Sequence, residues 1–139
     1  MDLEAFELVL LRRPENAPDY DEAELERIQQ EHLAHHARLR DSGHVVTNGP
    51  VIEPPDPSLR GLTFYRTGSL EESRQLAEAD PAVRAGRLTV EIMTWCCPPG
   101  TMSKPGGWSP CRSGPTGGQD HTWRAVMVYR LVTLMPAYA

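Results

Sequence analysis

Residues 31–50, EHLAHHARLRDSGHVVTNGP, decide the fold, because the periodicity changes inside this stretch from that of a helix to that of a strand. Reading backwards, Leu25, Ile28, His32, His36 and Leu39 recur at steps of three or four. At 100° per residue they fall within about 80° of one another, the apolar-stripe pattern of a packed helix. His35 lies at the edge of that stripe. Reading forwards, Ser42-Gly43 stops the helix, with Gly43 placed for a left-handed C-terminal cap. His44 to Thr47 then begin a strand rich in β-branched residues. Asn48-Gly49-Pro50 predicts a turn or bend fixed by glycine, after which Val51-Ile52 continue the strand briefly.

The remaining elements follow outward from there. The helix starts near Asp21, whose spacing to Glu24 matches a capping box; Asp21, Glu22, Glu24 and Glu26 favour its N-terminus. Before it, residues 5–13, AFELVLLRR, alternate as a strand, with Phe6, Leu8 and Leu10 on one face and Glu7, Val9 and Leu11 on the other. After it come a proline-rich surface loop (53–60) and a strand over 61–67, GLTFYRT. A second helix is capped by Ser69 with Glu72 and turns Leu70, Ser73, Leu76 and Ala77 inward. A short turn, PAVRAG from Pro81 to Gly86, leads into a strand over 87–95, with Leu88, Val90, Ile92 and Thr94 on one face.

Strand, helix, strand, strand, helix, strand predicts an α+β fold. It is the ferredoxin-like βαββαβ arrangement, a four-stranded antiparallel sheet with two helices on one face. A chain this short leaves the sheet's other face bare. An exposed apolar surface of that size predicts a partner, and a symmetric homodimer stacking the two sheets is the expected state.

The 139 residues suit one compact domain with a real core. A net charge of −5 gives no basic surface for nucleic acid. The N-terminus begins with acids and lacks the basic region of a signal peptide, and no apolar run approaches membrane-spanning length. With three cysteines, Cys96, Cys97 and Cys111, the expected location is the cytoplasm. The charge is uneven: residues 97–139 carry +3, leaving −8 on residues 1–96. The division expected is therefore a folded domain over 1–96 and an extension over 97–139. The extension is rich in Pro, Gly and Ser as far as Gln119, with an added strand near 123–134.

Two motifs carry a family resemblance. His32-Leu33-Ala34, then Gly43, then Asn48-Gly49-Pro50 resembles the "HLA…G…GP" signature of the YciI-like (YCII-related) family. Ala77-Glu78-Ala79-Asp80-Pro81, then Val83, Ala85-Gly86 and the strand to Trp95 resembles that family's "A-x-A-D-P-x-V-x-A-G" segment. The resemblance spans about residues 5–96. It implies a dimeric α+β barrel with a His–Asp pair in a cleft, which maps onto His32 and Asp80, and a cleft lined by Asn48, Gly49 and Pro50. One branch of the family resembles dehydrochlorinases of chlorinated hydroquinones, and the wider superfamily includes lactone isomerases and monooxygenases.

His32 is an inward histidine able to give and take protons near neutrality. A carboxylate holding it would fix its tautomer and support its basicity. Asp80 precedes Pro81 and also suits an N-cap; both roles coexist if one oxygen caps and the other reaches His32. No nucleophile accompanies the pair, and no G-x-S-x-G occurs. Arg84 is placed to attract an anionic or phenolate substrate. The rival is a metal held by His32 and His36, with a third ligand from Asp80, His44 or a cysteine. Because H-L-A-H-H lacks the Glu of H-E-x-x-H, the simpler reading is a polar helix edge with no metal. No P-loop or G-x-G-x-x-G points to a nucleotide cofactor, so none is expected.

A His–Asp dyad alone suits proton abstraction and return, as in isomerisation, elimination of HX or hydration, on a small organic substrate. The alternative is a non-catalytic dimer that uses the same cleft for binding.

Overall fold

A computed structural model describes residues 1–102 of the chain. The expected strand over 123–134 and the extension from residue 103 onward lie outside the described residues.

The elements run β1 (Glu4–Arg12), α1 (Glu22–Asp41), β2 (Val45–Pro50), β3 (Leu59–Tyr65), α2 (Leu70–Glu78), α3 (Pro81–Arg84) and β4 (Thr89–Cys97). The strands form one sheet in the order β2-β3-β1-β4, each neighbouring pair antiparallel. This is the ferredoxin-like α+β fold read from the element order.

Local chemistry explains the helix boundaries. Asp21 caps α1, its carboxylate accepting from the Glu24 N–H at 2.8 Å. Ser69 caps α2 in the same way through Glu72. Gly43, at φ 82°, takes the left-handed conformation that ends α1 at little steric cost.

The helices cover the face of the sheet that carries Val9 and Leu11. Those two pack with Ile28 and Leu39 of α1, Val45, Tyr65, Ala77, Ala82 and Leu88 in one buried cluster. Each large aliphatic removed from water in this layer contributes roughly 1.5–3 kcal/mol. Glu7 shares this face and is buried, its carboxylate accepting from the Thr67 N–H at 3.0 Å and from the Thr67 and Ser73 hydroxyls. It ties β1 to the start of α2. The opposite face pairs Leu8 with Phe64 and Met93, and Leu10 with Leu62. Phe64 stacks edge-on against Trp95 at 5.1 Å. Met93 is exposed, while Leu8, Leu10, Leu62 and Phe64 are half-buried.

Three expectations change. Asn48-Gly49-Pro50 is not a turn: the three residues are the end of β2 and pair with Thr63, Leu62 and Gly61. β2 is an edge strand, so Pro50 sits in the ladder without a central neighbour demanding its missing N–H. Gly49 has no positive φ, so no turn conformation requires it. Leu70 is 44% exposed rather than inward, because it is the first residue of α2 and lies beyond the sheet's cover. The segment after Asp80 is a single-turn helix, α3, instead of a plain turn.

Candidate functional site

α1 brings His32 and His36 to one face at an i, i+4 spacing, and both point inward with 1% and 2% exposure. α3 delivers the third member. Asp80, also 1% exposed, is the N-cap of α3. Its Oδ1 accepts from the Ala82 N–H at 2.9 Å. Its Oδ2 lies 2.6 Å from His32 Nδ1 and 3.2 Å from His36 Nε2. The two roles considered for this carboxylate are thus divided between its two oxygens.

Burial alone would raise the Asp80 carboxyl. The hydrogen bonds from His32 and then His36 outweigh it and hold the group well below the usual carboxylate range. An ionised carboxylate only accepts, so each ring turns an N–H toward Asp80. That assigns the proton to Nδ1 of His32 and Nε2 of His36. Nε2 of His32 and Nδ1 of His36 are left as the basic nitrogens. His36 Nδ1 is buried and has no partner among the described residues. Tyr65, fully buried in the same layer, has its hydroxyl pushed up, by burial first and then by the negative charge of Asp80.

A cavity of about 80 Å³, open on one side, lies between α1 and the β2–β3 edge. His32 lines it together with Asn48, Gly49 and Pro50. His36, Gln29 and Thr63 line it as well. Asp80 does not; it stands behind the two rings. Arg40 of α1 donates to Asn48 Oδ1 and so braces that wall.

Arg84 is not part of this arrangement. It is exposed and borders a separate open groove of about 660 Å³ beside Gly86 and β4. α3 is one turn long, and its N-cap faces α1, so the residue at its far end points elsewhere. His35 is also apart: its Nε2 donates to the Leu76 carbonyl at 2.9 Å, and desolvation lowers its basicity. His44 is near Ser42 and Glu72 on the surface. His36, by contrast, belongs to the cluster, although the sequence favoured His32 alone. Its i+4 spacing from His32 was the available signal. Gln29 and Thr63 carried none: each looked like an ordinary helix or strand residue.

His32, His36 and Asp80 are also the described residues that could gather a metal ion. The geometry between them is that of shared protons. Ligands held at about 2.1 Å around a tetrahedral ion stand roughly 3.4 Å apart, whereas His32 Nδ1 and Asp80 Oδ2 are 2.6 Å apart. A metal held through those two atoms would need them to move apart. Among the described residues, no helix is long and apolar enough to cross a membrane.

Residues 8–96 match the family model described as the YCII-related domain. Among solved structures the chain is similar to 5-chloro-2-hydroxyhydroquinone dehydrochlorinase (TftG) from Burkholderia phenoliruptrix AC1100, in complex with 2,5-dihydroxybenzoquinone. The identity is 16% and the TM-score 0.45, over 65% of this chain and 92% of that one. No curated protein matches the chain.

Proposed function

The chain belongs to the family of YCII-related domains, and from that premise we propose that it is an enzyme of proton-transfer chemistry on a small organic substrate, acting through a His32–Asp80 dyad. The observation that carries the reading is the 2.6 Å contact between His32 Nδ1 and Asp80 Oδ2, buried behind a cavity that His32 itself lines. Asp80 fixes the ring so that Nε2 is the free base and steadies the imidazolium once the base has taken a proton. His32 Nε2 removes a proton from a carbon next to a carbonyl, leaving an enolate. Returning the proton to a neighbouring atom completes an isomerisation. Expelling a leaving group X⁻ from the adjacent carbon instead completes an elimination of HX, with dehydrochlorination as one case. Neither route changes an oxidation state that an outside electron acceptor would have to balance, so the step needs no redox cofactor. Asn48, Gly49 and Pro50 serve as the substrate-side wall.

The assembly proposed is a homodimer that stacks the sheet faces bearing Leu8, Phe64 and Met93. Such packing removes Met93, 37% exposed in the single chain, from water.

The test is hydrogen exchange. Small carbonyl compounds are incubated with the full chain in heavy water, and loss of the α-proton signal is followed by NMR. Exchange catalysed by the native chain and lost in His32→Gln supports the reading. Equal, background exchange in both for every compound would rule out proton-transfer catalysis and leave a binding dimer of the same fold.

A further inference from the structure

The cavity beside His32 holds more unused hydrogen-bonding capacity than a proton-transfer pair requires. Gln29 is 2% exposed and neither its amide oxygen nor its amide nitrogen has a partner among the described residues. Thr63, 1% exposed, has an unpartnered hydroxyl, and His36 Nδ1 is unpartnered too. All three residues line the same cavity as His32. Buried polar groups are normally paired, so several orphans converging on one void point to something that pairs with them. Gln29, His32 and His36 lie on one face of α1, at i, i+3 and i+7, and Thr63 faces them from β3.

The chemistry of those groups limits the occupant. Whichever way the Gln29 amide is turned, it offers one donor and one acceptor side by side. His36 Nδ1, with its proton committed to Asp80, accepts only. Among the described residues the cavity's lining contains no lysine or arginine, and the ionised Asp80 stands behind it. An anion would enter against that charge with no cationic side chain among the described lining residues; a neutral molecule does not face this penalty. Size gives a further bound. A void of about 150 Å³ holds benzene, so 80 Å³ seats about three non-hydrogen atoms, with the rest of a ligand passing through the open side.

We propose that Gln29 is a specificity-determining residue, and that the site takes a neutral α-hydroxy carbonyl compound. The O–C–C–O head supplies one donor and one acceptor in four non-hydrogen atoms. Its carbonyl accepts from the Gln29 amide N–H, and its hydroxyl donates to Gln29 Oε1 or His36 Nδ1. Thr63 completes the set from the sheet. The inference deepens the proton-transfer reading, because the hydroxyl-bearing carbon next to the carbonyl carries an acidic hydrogen that His32 Nε2 would remove. As a binding claim it stands apart from whether His32 turns the ligand over.

The probe is hydroxyacetone, with acetone lacking the donor and glycolate carrying a charge. Binding is followed by NMR titration of the full chain, reading the Gln29 side-chain amide and the His36 ring. Saturable binding of hydroxyacetone is expected, with acetone and glycolate each at least about tenfold weaker, the effect of leaving a buried partner unpaired or a charge uncompensated. Gln29→Met keeps the volume and removes both amide groups. It is expected to weaken hydroxyacetone about tenfold and to narrow its advantage over acetone, with a melting temperature no lower than the native one. Gln29→Glu, which keeps one acceptor but adds a charge, is a second variant should Met disturb α1, and is expected to weaken hydroxyacetone as well. The proposal is overturned by no saturable binding of hydroxyacetone, by glycolate binding as well as hydroxyacetone, or by undiminished binding in the Gln29 variants. Binding that follows Gln29 without any α-proton exchange would instead count against the enzyme reading alone.

Discussion

Asp80 Oδ2 and His32 Nδ1 lie 2.6 Å apart, although 48 positions separate the residues in the chain and both side chains are about 1% exposed. The contact joins the N-cap of α3 to the middle of α1. One carboxylate therefore closes a helix end, orients a histidine and holds a second histidine, so its removal has separable effects on folding and on chemistry.

Asp80→Asn preserves the shape and the capping oxygen but removes the charge. Under the proposed mechanism, exchange activity should fall by roughly 10²–10⁴-fold, because the tautomer of His32 is no longer imposed. Stability should fall by about 2 kcal/mol, the scale of a hydrogen bond to a buried charged group. Asp80 is held below its unfolded value, so its stabilising contribution is complete above about pH 4 and is lost as pH falls below that. Urea midpoints of the native chain and Asp80→Asn should differ most near neutrality and converge in acid. A constant gap down to about pH 2 would contradict the charge-based account.

His35 titrates in the other range. Desolvation lowers its folded value, partly offset by its bond to the Leu76 carbonyl. The fold prefers this ring neutral, so its contribution is complete above about pH 6.5 and is lost as pH drops below. His35→Gln keeps a donor for Leu76 and cannot titrate. Thermal melts between about pH 7.5 and 5.5 should then fall less steeply for the variant than for the native chain.

The two glycines nearest the candidate grooves should respond oppositely to alanine. Gly49 has no positive φ, and a Cβ there meets nothing within 4 Å. Gly49→Ala should change stability by no more than about 0.5 kcal/mol, with a slight gain from the lower strand entropy. Gly86 sits at φ 75°, and a Cβ would stand 3.1 Å from Pro18 Cδ. Gly86→Ala should cost about 1–2 kcal/mol by chemical denaturation.

Met93 tests the proposed assembly. It is exposed on the sheet face away from the helices, opposite Leu8. Met93→Lys should convert a dimer into a monomer by sedimentation, with the melt of the single domain little changed. A native chain that sediments as a monomer at micromolar concentration would remove the stacked-sheet proposal.

Much of this molecule was legible locally. The apolar steps from Leu25 to Leu39, the caps at Asp21 and Ser69, and Gly43 depend on neighbours within a turn, and they determined the helices and the strand order. The pairing of His32 with Asp80 was indicated by motif resemblance and not by spacing. Other features turned on distant partners. Asn48-Gly49-Pro50 has turn composition, but β3 supplies the backbone partners and the edge position tolerates Pro50, so it is strand. His36 looked like a spare helix histidine until α3 placed the same carboxylate oxygen 3.2 Å away. Arg84 was expected to attract a substrate in the cleft, yet it borders another groove, beyond a single turn of helix from Asp80. Gln29 and Thr63 carry no sequence signal because an orphaned buried amide or hydroxyl exists only once packing has excluded its alternatives. The sequence by itself determined the main helices and strands and the order in which they follow one another along the chain. Only the tertiary structure decided which polar atoms share a cavity, because that depends on sheet register and on where α3 meets α1, and no local periodicity encodes either.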